Sequence, residues 1–160
     1  MRLEQRDKEL AAIGASIGAN CRPCAEHHVP AGRNAGLSET ELVGAVATAR
    51  AVREQAVELF AARVEELLGR TGAPLEPASL VETSRDDELV ALGASIGANS
   101  HPLLDLHIGA AADVGLTAAE VEAALKMAEY VQQRASEMTA NKATHALEER
   151  AGKFATTARS

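Results

Sequence analysis

Apolar residues recur every three to four positions through most of this chain, and nowhere does a stretch alternate apolar and polar one for one. That spacing predicts helices with one buried face and no strands. A first helix is expected over residues 3–19. Its Gly14 and Gly18 lie one turn apart on a single face, as where a neighbouring helix backbone packs close. Asn20 suits the end of that helix. A second helix is expected from near Cys21 to Gly36, with Pro23 in its first turn, where a missing N–H costs little, and glycine at its C-terminal end. A third opens on Ser38-x-x-Glu41, a capping box. Leu42, Val46, Ala49, Val52, Val57, Phe60, Val64, Leu67 and Leu68 then follow in approximately helical spacing.

The pattern breaks over residues 69–83, where Gly72, Pro74 and Pro77 read as a linker, and then it repeats. Overlaying Arg6 on Arg85 aligns Asp7, Glu9 and Leu10 with Asp86, Glu88 and Leu89. Residues 14–20 and 93–99 are identical, Pro23 meets Pro102, and His28 meets His107. Gly36-Leu37-Ser38-x-x-Glu41 meets Gly115-Leu116-Thr117-x-x-Glu120. A fourth helix is expected from near Ser84, with Asp86 and Asp87 in its first turn at the positive end of the helix dipole. The chain is expected to be all-α: two tandem copies of a roughly three-helix unit, packed with pseudo-two-fold symmetry. The first repeat takes residues 1–70, the linker 71–83, the second repeat 84–150 and a frayed tail 151–160.

Composition sharpens this picture. Much of the apolar content is Ala, Leu and Val, which favours helix. The only aromatic side chains are Phe60, Tyr130 and Phe154. The net charge of −7 is spread along the chain, and both halves hold more acids than bases. With no basic patch and almost no stacking platforms, a nucleic-acid partner is not expected. No apolar run approaches the ~18 residues of a membrane span. Residues 1–7 lack the apolar stretch of a signal peptide. The expected setting is therefore a reducing cytoplasm.

Against that setting stand two cysteines, Cys21 and Cys24, two residues apart. A disulfide between them closes almost no loop, so it adds little as a staple. A lone close pair in a reducing compartment reads as catalytic or metal-binding. Placed in the first turn of a helix, Cys21, Cys24 and His28 form one stripe. A helix N-terminus stabilises a thiolate, an imidazole one turn away can take or return a proton, and the second thiol can resolve a sulfenic acid. Glu9, on the preceding helix, can fold back beside the thiols as a proton relay or as an orienter of the histidine.

Other readings compete. Cys21, Cys24, His27 and His28 resemble a zinc cluster, but structural zinc usually draws ligand pairs from separated elements. Adjacent His27 and His28 point about 100° apart on a helix and can hardly both close a tetrahedron with the cysteines. Inert packing of the thiols is a third reading. His27 either flanks the site or faces solvent, and His101 and His145 read as surface residues. The second copy replaces the thiols with Ser100 and Leu103 yet keeps Glu88 and His107. Part of the Glu–His role can therefore be structural, a buried pair joining two helices.

Glu9-x11-Cys21-x2-Cys24-x3-His28, followed by Gly36-Leu37-Ser38-x-x-Glu41, resembles the alkylhydroperoxidase D core of the carboxymuconolactone decarboxylase superfamily. The resemblance covers the first copy through the start of its third helix, and a thiol-free version covers the second. It implies an all-α fold that assembles into homo-oligomers, a trimer being the expectation here. It implies a peroxidase without a bound cofactor: the cysteine pair reduces hydroperoxides, Glu9 and His28 relay protons, and electrons come from an external dithiol or lipoyl-type protein. Cys24 would attack the peroxide. Cys21, expected at the more exposed helix end, would resolve and meet the reductant. Many family members carry a histidine just before the second cysteine, where this chain has Pro23. Thiol–disulfide exchange or redox sensing without strong peroxidase activity is the alternative. So is the superfamily's lactone decarboxylation, which does not depend on the cysteines. A lactone carboxylate calls for a cationic group, and the second copy's sequence offers none near its Glu88 and His107.

Overall fold

The computed structural model describes residues 3–70, 72, 74–80 and 82–157. Met1 and Arg2, Thr71, Ala73 and Val81 of the expected linker, and residues 158–160 of the expected tail lie outside the described residues. Those described form six α-helices and no strand: α1 (Gln5–Gly18), α2 (Arg22–Asn34), α3 (Glu39–Leu67), α4 (Arg85–Gly97), α5 (His101–Asp113) and α6 (Ala118–Thr157). No described helix is long and apolar enough to cross a membrane.

The helix ends are built as the sequence indicates. Asn20 and Asn99 take the left-handed conformation, at φ 54° each. Cys21 N–H donates to the Ser16 carbonyl and Ser100 N–H to that of Ser95, both at 2.9 Å. Each bond closes a helix terminus and turns the chain into the next helix. Gly36 and Gly115 play the same part after α2 and α5, at φ 99° and 83°. The capping boxes form at Ser38/Glu41 and Thr117/Glu120, and α4 adds one at Ser84/Asp87.

The two halves meet through α1 and α4, and the contact is reciprocal. A Cβ on Gly14 would run into the Val90 carbonyl, and one on Gly93 into the Ala11 carbonyl. Gly18 meets Ala94 in the same way that Gly97 meets Ala15. Each pair exchanges under the sequence repeat, as a two-fold contact requires. The glycines do mark close backbone packing, and the neighbour is the same helix of the other copy. Ion pairs follow the same rule: Arg6 bonds Asp86 and Glu41, while Arg85 bonds Asp7 and Glu120. The chain is thus two three-helix units related by a pseudo-two-fold axis.

The third helices depart from the expected pattern. On α3 the buried positions are Leu42, Ala45, Ala49, Val52, Ala56 and Leu59. Val57, Phe60, Leu67 and Leu68, in line with the helical spacing, stay exposed. Val57 and Phe60 sit beside the buried Ala56 and Leu59 but on the outward side of the helix, whereas for Leu67 and Leu68 the reason is length. α3 has 29 residues and α6 has 40, whereas α1 has 14 and α4 has 13. At about 1.5 Å per residue the long helices outrun the central pair. The expected fraying from Gly152 onward is also corrected, since α6 stays helical to Thr157. A single glycine among good helix formers costs only about 1 kcal/mol, too little to stop a helix.

Candidate active site

Cys21 is the N-cap of α2 in extended backbone conformation, with Pro23 behind it in the first turn. The two sulfurs are joined as a disulfide, with Cα atoms 5.2 Å apart. Cys24 N–H donates to Cys21 Sγ at 3.3 Å. The helix N-terminus therefore places a backbone donor on the first sulfur, where charge develops when the bond opens. Cys24 and His28 follow on the same face, and both are buried.

The preceding helix completes the site. Glu9 Oε2 sits 2.9 Å from His28 Nδ1. An ionised carboxylate only accepts, so Nδ1–H donates to it and Nε2 is left to act as a base. Gln5 Nε2 donates to Glu9 Oε1 at 2.6 Å and holds the carboxylate from the other side. Gln5 was missed from sequence, although its i, i+4 spacing to Glu9 was available as a signal.

A further wall comes from the other half of the chain. Ala128, Val131 and Ala135 of α6 pack with Cys21 and Cys24 in one apolar cluster. Next to it a cavity of about 260 Å³ is lined by Cys24, His27 and His28 from α2 and by Tyr130, Arg134 and Met138 from α6. Cys24 is the sulfur that borders this cavity. Cys21 and Cys24 are both buried, at 8 % and 6 % exposed, so Cys21 is the more exposed only by a margin too small to set the two apart. His27 flanks the opening, its ring edge-on to His28 with centroids 4.8 Å apart. Arg134 and Tyr130 lie far along the sequence, in the second repeat, and no local motif could have pointed to them.

The second copy repeats the framework without the thiols. Glu88 Oε2 sits 2.8 Å from His107 Nδ1, and the pair joins α4 to α5 as Glu9–His28 joins α1 to α2. One function of the Glu–His pair is therefore to pin two helices, with or without sulfur nearby. Glu88 is fully buried, and its Oε1 has no hydrogen-bond partner. Gln5, which serves that role in the first copy, is matched by Ser84, whose hydroxyl is taken by Asp87. Among the described residues no Lys or Arg lines the space beside Glu88 and His107; Arg63 of α3 lines a separate pocket at the N-terminus of α5, together with Ser100.

The carboxymuconolactone decarboxylase family model matches residues 2–66. Over that span, which holds Glu9, Cys21, Cys24 and His28, the chain is similar to this family. No curated protein and no solved structure matches the chain.

Proposed function

We propose that the chain is a thiol-dependent redox enzyme of the alkylhydroperoxidase D type, reducing hydroperoxides at the Cys21/Cys24 pair. One observation carries this reading. The redox pair sits at a helix N-terminus with a Glu-oriented histidine, and Cys24 borders an adjoining cavity. In the reduced protein, His28 Nε2 takes the Cys24 thiol proton and Glu9 holds the resulting imidazolium. The thiolate attacks one peroxide oxygen, the O–O bond breaks, and the alkoxide leaves with the proton from His28 as an alcohol. Cys24 is then a sulfenic acid. The Cys21 thiol displaces its oxygen as water and forms the disulfide. An external dithiol, such as a lipoyl-type protein, returns the two electrons by attacking Cys24, the sulfur beside the cavity, in place of Cys21, which the resemblance gives as the one that meets the reductant. Cys21 then leaves as a thiolate stabilised by the Cys24 N–H.

Tandem duplication with loss of the second thiol pair, and assembly into a homotrimer, belong to the same proposal. Leu67, Leu68, Leu147 and Phe154, exposed on the long helices, support the assembly, and a monomer in sedimentation would remove it. Two other readings each have an observation behind them. Pro23 in place of the family's extra histidine favours disulfide exchange over peroxide reduction. Arg134 beside His28 suits a carboxylate-bearing substrate, as a lactone enzyme requires.

The deciding experiment adds one equivalent of cumene hydroperoxide to the reduced protein and follows free thiols and mass. Loss of both thiols with a two-hydrogen drop in mass, absent in Cys24→Ser, is the expected result. Thiols that persist would overturn the peroxidase reading and leave exchange with a partner dithiol as the function.

A further inference from the structure

The pseudo-two-fold counterpart of the disulfide site is built differently. At the N-terminus of α5, Ser100 stands where Cys21 stands in the first copy. It is 8 % exposed, and its hydroxyl neither caps α5 nor bonds any other described group. The residue is buried but the hydroxyl itself opens to the space at the start of α5, where it is available to a bound molecule. Ser100 lines a pocket of about 440 Å³, larger than the cavity at the disulfide. That size falls within the range of small-molecule sites, which run from about 300 to 1,000 Å³.

The lining defines the chemistry. Leu59, Phe60 and Pro102 supply an apolar wall. Phe60 is 72 % exposed, and nothing in the core explains an aromatic ring at that place. The polar groups gather at the α5 end: Ser100, His101 and the Arg63 guanidinium. Arg63 Nη1 bonds Glu66 at 2.6 Å, and a guanidinium has further N–H donors to offer. No acidic side chain lines the pocket. The positive end of the 13-residue α5 dipole faces the same place.

We propose that this pocket is a second binding site, independent of the thiol chemistry, for a small amphipathic carboxylic acid. Its carboxylate meets Ser100 Oγ and Arg63 at the start of α5, and its hydrocarbon tail lies along Phe60 and Leu59. The loss of both cysteines from the second copy thereby exchanged a redox site for an acid-binding one.

The test titrates the intact protein with octanoate and with octanol by calorimetry. Saturable octanoate binding is expected, weakened about ten-fold in both Arg63→Met and Ser100→Ala. Arg134→Met, at the disulfide cavity, should leave it unchanged, and octanol should bind no better than octanoate does to Arg63→Met. Any of three results overturns the proposal: no saturable octanoate binding, octanol bound as tightly as octanoate, or loss of binding in Arg134→Met instead of Arg63→Met. Sedimentation of Phe60→Ser adds one more check. Dissociation of an assembly on that substitution would show that a second copy covers this face, and would overturn the proposal too.

Discussion

Glu9–His28 and Glu88–His107 are the same pair in two surroundings, and the difference sets what each does. His28 has a disulfide and a cavity beside it, and the proposed mechanism uses its Nε2 as a base. His28→Gln should fold and still form the disulfide, but should slow thiol oxidation by peroxide about 100-fold or more in stopped-flow measurements. An unchanged rate would remove His28 from the chemistry. His107 is 1 % exposed, bonds Glu88, and has no thiol beside it, although a smaller cavity of about 160 Å³ adjoins the pair. His107→Leu leaves a buried carboxylate without its partner and should cost about 3–5 kcal/mol in urea unfolding. Adding Glu88→Leu removes that carboxylate, so the double variant should recover at least half of the loss. Two losses that simply add would show that the pair is not coupled.

Among the elements, α1 and α4 tolerate the least change. Gly93→Ala drives a methyl group into a backbone carbonyl that has nowhere to go. It should cost about 2–3 kcal/mol or prevent folding. Gly109 makes the control, since it is inside α5 with open space around it. Gly109→Ala should raise stability by about 0.5–1 kcal/mol, and thermal melts of the two variants should move in opposite directions. The matching position in α2 is Pro30, an exposed proline inside the helix that leaves the Glu26 carbonyl without its usual donor. Pro30→Ala should restore that bond and raise stability by about 1 kcal/mol. A lower melting temperature would mean that the proline shapes α2 for the site. The stripe of Cys21, Cys24 and His28 was legible because helix faces follow from spacing. The exposed ends of α3 and α6 were not, because periodicity says which side of a helix is apolar and nothing of how far its neighbours extend.

At the scale of the molecule, the two halves are tied by a ring of charges around Arg6 and Arg85. Glu41 is held at about 2 by the Ser38 hydroxyl and N–H and by Arg6. Glu120 is held at about 2 by the Thr117 N–H and hydroxyl and by Arg85. Both lie below the ordinary value of 4.5, so their contribution is complete above about pH 4.5 and is lost as pH falls toward 2. Melting temperature should therefore fall on acidification through that window. Glu41→Gln with Glu120→Gln should lower it at pH 6 and flatten the acid limb of the profile. An acid limb unchanged in the double variant would assign the loss to other carboxylates.

Helix type, most helix ends, the repeat and the cysteine stripe with Glu9 were all determined by the sequence itself. Each rests on interactions between residues a few positions apart, or on direct comparison of one half with the other. Tertiary structure alone decided that α1 and α4 meet at their glycines, and that α6 of the second half closes the thiol site with Tyr130 and Arg134. It decided equally that Arg63 of the first half lines one pocket with Ser100 of the second. Each of these joins residues far apart in the chain. Which helix lies across which depends on how two apolar faces bury one another, and no local spacing records that.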